Sequence, residues 1–175
     1  NPPDWFPQNY GINNFGNKIK KLETGKEWIG GYSMGFKKEI LVKIGGFKNS
    51  LGMNGKVMAY GEETLLQVKL KKNNINIYYI PNIKLSHLVA DYKLSLNWLL
   101  KSSFKRGLVR FKSHGEEPNL IDTLKSIFIG EINFIKYLFY PHKLYPKYRL
   151  YKMLSNKMSS FGKLIEYFRY RLRLK

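Results

Sequence analysis

The sequence contains no cysteine, which excludes a disulfide scaffold and any cysteine-built zinc site. Acids are scarce, at 12 Asp and Glu in 175 residues. The aspartates are Asp4, Asp91 and Asp122, so no Asp-x-Asp metal motif occurs. A membrane span needs about 18 to 20 mostly uncharged residues. The most apolar stretch, residues 120–140, is interrupted by Asp122, Lys125, Glu131 and Lys136, so no span is read there. No internal repeat and no low-complexity segment is visible. The chain opens on Asn rather than Met, with no signal-peptide pattern after it, and is expected to be the C-terminal piece of a longer protein.

Positive charge is abundant. Lys and Arg number 31, for a net charge of +19. Such a surplus points to an anionic partner: nucleic acid, lipid headgroups or a phosphorylated small molecule. Hydrophobic residues make up 43% and charged residues 25%, which fits one folded domain rather than a disordered chain. The charge is uneven. Residues 1–100 hold 14 basic and 7 acidic side chains, and residues 101–175 hold 17 and 5. The charge and the absence of cysteine together favour the cytosol.

Turn residues and apolar periodicity divide the chain. Residues 1–17, rich in Pro, Asn, Gly and aromatics, read as an irregular loop, and residues 18–26 as a short helix or loop. Residues 32–36 are strand-like. Residues 37–44 read as a short helix stopped by Gly45-Gly46, and residues 47–61 as a loop. Residues 62–72 are helical in pattern and end at Asn73-Asn74. Residues 75–80 and 83–89 read as strands on either side of the break at Pro81, and residues 94–112 as a helix of about five turns. In the tail, Leu154, Met158, Phe161, Ile165, Phe168 and Leu172 recur at steps of four and three, one apolar stripe among basic residues. Such a helix either packs on its own domain or lies on a membrane surface, and the basic tail favours the membrane.

Three features carry chemistry. The run Gly30-Gly31-Tyr32-Ser33-Met34-Gly35 lets backbone approach a ligand, although a glycine run is also what a plain turn needs. It is neither a GxGxxG nor a Walker loop. In Gly61-Glu62-Glu63-Thr64, two acids occupy the first turn of a helix, where the helix dipole favours them structurally. At a loop–helix junction facing a cleft, a carboxylate is also placed as a general base. His87 ends the strand-like segment 83–89, as a structural side chain or a metal ligand.

The order and spacing of these pieces resemble the C-terminal half of family-2 glycosyltransferases of the GT-A fold. The pieces are Gly30-Gly31-Tyr32-Ser33-Met34-Gly35-Phe36, Ile44-Gly45-Gly46-Phe47, Gly61-Glu62-Glu63-Thr64, Tyr79-x-Pro81-x5-His87, Leu94-Ser95-Leu96-Asn97-Trp98 and Phe104-Lys105-Arg106-Gly107. They cover about residues 28–110. The resemblance implies an α/β fold: residues 1–115 as the C-terminal part of a Rossmann-like GT-A domain, and residues 116–175 as a basic amphipathic helical tail. It implies inverting transfer of a sugar from a nucleotide-sugar donor to a saccharide or lipid-linked acceptor hydroxyl, in surface polysaccharide or glycolipid synthesis.

By the same resemblance Glu63 is the general base, with Glu62 its neighbour, contacting the acceptor or orienting the loop. Gly30, Gly31, Tyr32 and Ser33 line the substrate pocket, and His87 is a ligand to Mg²⁺ or Mn²⁺. Trp98 and Arg106 match a downstream helix whose role is less defined. Ser33 stands where many members have Asn, Glu63 where Asp is commoner, and Lys93 where Arg is usual. The nucleotide-reading half of the family's domain is expected upstream of this chain. The expected location is the cytoplasmic face of the membrane, peripherally bound to an anionic surface. Rival readings are a non-catalytic membrane-surface module and a nucleic-acid-binding module. No helix-turn-helix or ribonucleoprotein signature supports the second, so no nucleic-acid partner is expected.

Overall fold

Three helix ends are closed by the same device. Helix α1 (Lys38–Lys43) stops where Gly46 N–H donates to Leu41 C=O at 2.9 Å and Gly45 N–H to Val42 C=O at 3.0 Å. Both glycines are at positive φ, +73° and +54°. This paired closure satisfies carbonyls that the helix itself leaves unbonded. Helix α2 (Glu62–Lys72) ends in the same way around Asn74 at φ +56°, and helix α3 (Leu96–His114) around Gly115 at φ +62°. Ser95 caps the start of α3, its hydroxyl accepting from Trp98 N–H at 3.2 Å. Helix α4 (Leu120–Leu138) is capped by Asn119, which accepts from Asp122 N–H at 2.8 Å. Helix α5 (Pro146–Arg173) begins on a proline, whose missing N–H is harmless in the first turn.

The computed structural model describes residues 2–8, 10–23, 25–53, 58–86, 88–139 and 145–173. Its strands are β1 (Lys20–Lys21) and β2 (Tyr78–Tyr79), paired antiparallel with Lys20 opposite Tyr79. That overturns the α/β expectation: among the described residues there is no Rossmann-like GT-A sheet, only this two-stranded ribbon beside five α-helices. The physical reason is partnership. A parallel sheet requires several strands joined by crossover helices, and alternation in residues 32–36 and 75–80 supplies no edge to bond to. Gly31–Ser33 is instead a 3-10 turn, and no strand forms in the described part of residues 83–89.

Among the described residues two groups of contacts stand out. In the first, Ile44, Leu66 and Leu70 are buried against Phe36, Ile40, Leu41, Ile75 and Ile77. This core fastens α1 to α2 beside the ribbon. In the second, α5 packs along both α3 and α4. Glycines set that approach. A Cβ on Gly107 would lie 2.0 Å from Ser159 C=O, and one on Gly162 would lie 2.3 Å from Phe104 C=O. Ser160 donates from α5 to Ser126 C=O on α4 at 2.6 Å. Arg149 donates to the Tyr137 and Leu138 carbonyls, which closes the end of α4 with a cation where the helix dipole favours one. Among the described residues no helix is long and apolar enough to cross a membrane.

The apolar stripe expected on residues 154–172 does lie on one helix, but it is not the packed face. The buried residues of α5 are Ser160, Gly162 and Glu166. Phe161, Phe168 and Leu172 are exposed, while Leu154, Met158 and Ile165 are half-buried. Close helix approach selects small side chains over large apolar ones here.

Candidate functional site

The two acids of α2 are separated by their surroundings. Gly61 precedes them at φ +106°, and a Cβ there would stand 2.4 Å from Ser113 Cβ, so both backbone and space require glycine. Glu63 reaches back to the glycine turn, where its Oε1 accepts from Gly31 N–H at 3.3 Å. A Cβ on Gly31 would fall 2.6 Å from Glu63 Cγ, so only glycine admits the carboxylate this close to the backbone.

Glu62 sits beside it and borders a second space. It lines a cavity of about 300 Å³ with Lys48, Asn49, Gly52 and Met53. Its Oε2 is buried with no hydrogen-bond partner among the described residues. Burial, reinforced by the Glu63 carboxylate, holds the Glu62 carboxyl above its ordinary pKa.

Gln67, one turn beyond Glu63, organises the turn. Its side chain is 1% exposed. Oε1 accepts from Ile29 N–H at 3.0 Å, and Nε2 donates to Ile29 C=O at 2.9 Å and Glu63 C=O at 3.1 Å. The amide thus serves both backbone groups of the residue before Gly30. Sequence reading passed over Gln67. Its signal was an amide in the apolar register of α2, between Leu66 and Leu70.

Tyr32 and Ser33 fall on a different surface. They line a groove of about 1120 Å³ between residues 10–17, the glycine turn and residues 75–86. Tyr32 hydroxyl donates to Gly11 C=O. Asn13 also lines the groove, and its buried Nδ2 has no partner among the described residues. Glycine-turn residues therefore meet Glu63 at Gly31 and the groove at Tyr32 and Ser33, whereas Glu62 opens into the separate small cavity.

No protein-family model, curated protein or solved structure matches the chain. The site is therefore read from its own chemistry. His87 lies outside the described residues. Among the described residues no three His, Asp or Glu side chains gather to hold a metal ion.

Trp98 packs against the N-terminal segment, and Arg106 against Tyr60. Trp98 meets the rings of Tyr10 and Tyr92 edge-on, at 6.4 Å and 6.5 Å. The Arg106 guanidinium lies 5.8 Å from the centre of the Tyr60 ring and donates to the hydroxyls of Ser102 and Ser103. Burial, with Tyr60 nearby, pushes the Tyr10 hydroxyl up to about 12, so it stays protonated.

Proposed function

We propose that this chain supplies the acceptor-side chemistry of an inverting glycosyltransferase that uses a nucleotide-sugar donor and a saccharide or lipid-linked acceptor. The observation that carries the reading is the contact between the Glu63 carboxylate and the Gly31 backbone, on the turn whose Tyr32 and Ser33 line the large groove. The reading concerns these side chains and requires no parallel sheet within the chain. Glu63 takes the proton of the acceptor hydroxyl. The acceptor oxygen bonds to the anomeric carbon as the bond from that carbon to the diphosphate oxygen breaks. The nucleoside diphosphate leaves with the electron pair, and configuration inverts in the single displacement. One carboxylate on the face opposite the leaving group suffices.

Gly31 admits the Glu63 carboxylate close to its backbone, and Gln67 holds the turn in register with Glu63. A divalent cation would neutralise the leaving diphosphate. His87 would be one of its ligands, the remainder lying outside the described residues. The protein works at the cytoplasmic membrane face, held peripherally by its basic tail.

The test is transfer by the complete protein across a panel of UDP- and GDP-sugars with oligosaccharide and polyprenyl-linked acceptors. An inverted product is expected. Glu63→Gln should lower kcat by about a hundredfold to ten-thousandfold, the usual range for a lost general base, with donor affinity nearly kept. A retained anomeric configuration, or a Glu63→Gln enzyme with wild-type kcat, overturns the reading.

A further inference from the structure

Helix α4 is amphipathic in the opposite sense to an ordinary core helix. Its buried positions are Thr123 and Gly130, seven residues apart on one side of the helix, and Gly130 faces α5. Its apolar residues point outward. Ile121, Leu124, Phe128, Ile132, Ile135 and Phe139 follow one another at steps of three and four and are all exposed, Phe128 at 68% and Phe139 at 79%. At 100° per residue they fall within one stripe along the helix. Exposed Lys125 and Lys136 lie on one side of that stripe, eleven residues apart. Glu131 lies on the other side, and its charge is matched by Lys157 of α5 at 2.9 Å.

We infer that this face of α4 is the surface by which the protein enters an anionic lipid bilayer, lying in the interface plane. The inference rests on the membrane location in the reading above and replaces the α5 stripe with α4 as the inserted element. Charge selects the occupant. The chain carries +19, and residues 101–175 alone hold 17 basic against 5 acidic side chains. Two copies of so basic a chain repel one another, whereas acidic headgroups complement it.

An in-plane helix buries its apolar side at the acyl boundary and keeps its lysines at headgroup level. The geometry of α4 fits that arrangement: large side chains at the centre, lysines at the flank, and the opposite side fixed to α5 through small residues. Helix α5 fits it less well. Its exposed Phe161, Phe168 and Leu172 are fewer, Arg169, Arg171 and Arg173 crowd the last two, and Phe161 leans on Phe104 at 5.8 Å.

The experiment is co-sedimentation with vesicles of phosphatidylcholine alone and of phosphatidylcholine with phosphatidylglycerol. It compares the unaltered protein with Phe128→Gln/Ile132→Gln on α4 and Phe168→Gln/Leu172→Gln on α5. All four positions are exposed and glutamine is a good helix former, so circular dichroism should be unchanged. The unaltered protein should bind anionic vesicles, and less so as salt rises. The α4 pair should lose roughly tenfold or more in partitioning, since each large apolar side chain removed from lipid forfeits a substantial transfer term. The α5 pair should lose much less. If the α4 pair binds like the unaltered protein, the assignment to α4 is overturned while the membrane location stands. If the unaltered protein ignores anionic vesicles, both fall. If light scattering shows a dimer that the α4 pair dissociates, the occupant is a second copy and the inference is wrong.

Discussion

Gln67 forms hydrogen bonds with both the N–H and the C=O of Ile29, at 3.0 Å and 2.9 Å. One buried amide does here what a neighbouring strand does in a sheet: it satisfies both backbone groups of Ile29. It thereby places Gly31 against Glu63, four residues earlier on the same helix. Side chains of α2 thus help to position the glycine turn.

Gln67→Leu should therefore act on stability and on the site together. It leaves the Ile29 N–H and C=O without their partner, and each buried polar group left unpaired costs about 1–3 kcal/mol. A loss of roughly 2 kcal/mol lowers Tm by about 4–8 °C in a chain of this size. Calorimetry checks the stability. Limited proteolysis near residue 30 should accelerate in the same variant, and an unchanged cleavage rate there would separate Gln67 from the turn.

Alanine at Gly107 or Gly162 should destabilise the protein, although alanine favours an isolated helix by about 1 kcal/mol. The added methyl would sit 2.0 Å from Ser159 C=O in one case and 2.3 Å from Phe104 C=O in the other. Helices α3 and α5 would have to separate, and overpacking of this kind costs about 1–3 kcal/mol. Thermal melts of both variants read the sign. A rise in Tm for either would mean that the helices part easily.

The Lys112–Glu166 pair joins α3 to α5 at 2.7 Å, and Glu166 is only 6% exposed. Lys112→Met should be strongly destabilising because it strands a buried carboxylate. Lys112→Met with Glu166→Leu should recover most of that loss by removing the stranded charge. Urea midpoints of the three proteins, compared as a double-mutant cycle, test the coupling. Equal midpoints for the single and double variants would show that Glu166 is solvated without its lysine.

Glu62 sets a pH dependence of defined sign. Its folded pKa is raised by burial and by Glu63. The folded state therefore keeps this proton to higher pH than the unfolded state does. Stability falls as pH rises from the ordinary glutamate range through the folded value. Glu62→Gln should flatten that slope and stabilise the protein above it. Urea unfolding between pH 4 and pH 8 measures it. A slope identical in the variant would assign the pH dependence to other groups.

Local signals in the sequence were sufficient for helix ends. Gly45-Gly46 closes α1 and Asn73-Asn74 closes α2, because a left-handed residue after a helix is a matter of its own backbone and the carbonyls one turn back. Ser95 shows the same limit from the other side. It caps α3, yet the apolar pattern alone started that helix two residues too early, because Leu94 belongs to a 3-10 turn. The Glu62-Glu63 pair at a helix start was legible for the same local reason.

Sheet content was not legible. Alternation in residues 75–80 describes a strand only if a second strand lies beside it, and here Lys20–Lys21 covers just Tyr78–Tyr79. The opposite fates of Glu62 and Glu63 were equally hidden. They depend on Gly31 and Gly52, brought near by the packing of α2 rather than by spacing along the chain. The tail states the division most plainly. The 3.6-residue period fixed which residues of α4 and α5 share a side, but which side faces inward was decided by how close the helices come. Gly107, Gly130, Ser160 and Gly162 let the backbones approach, so the small residues are buried and the apolar stripe of α4 is left facing out.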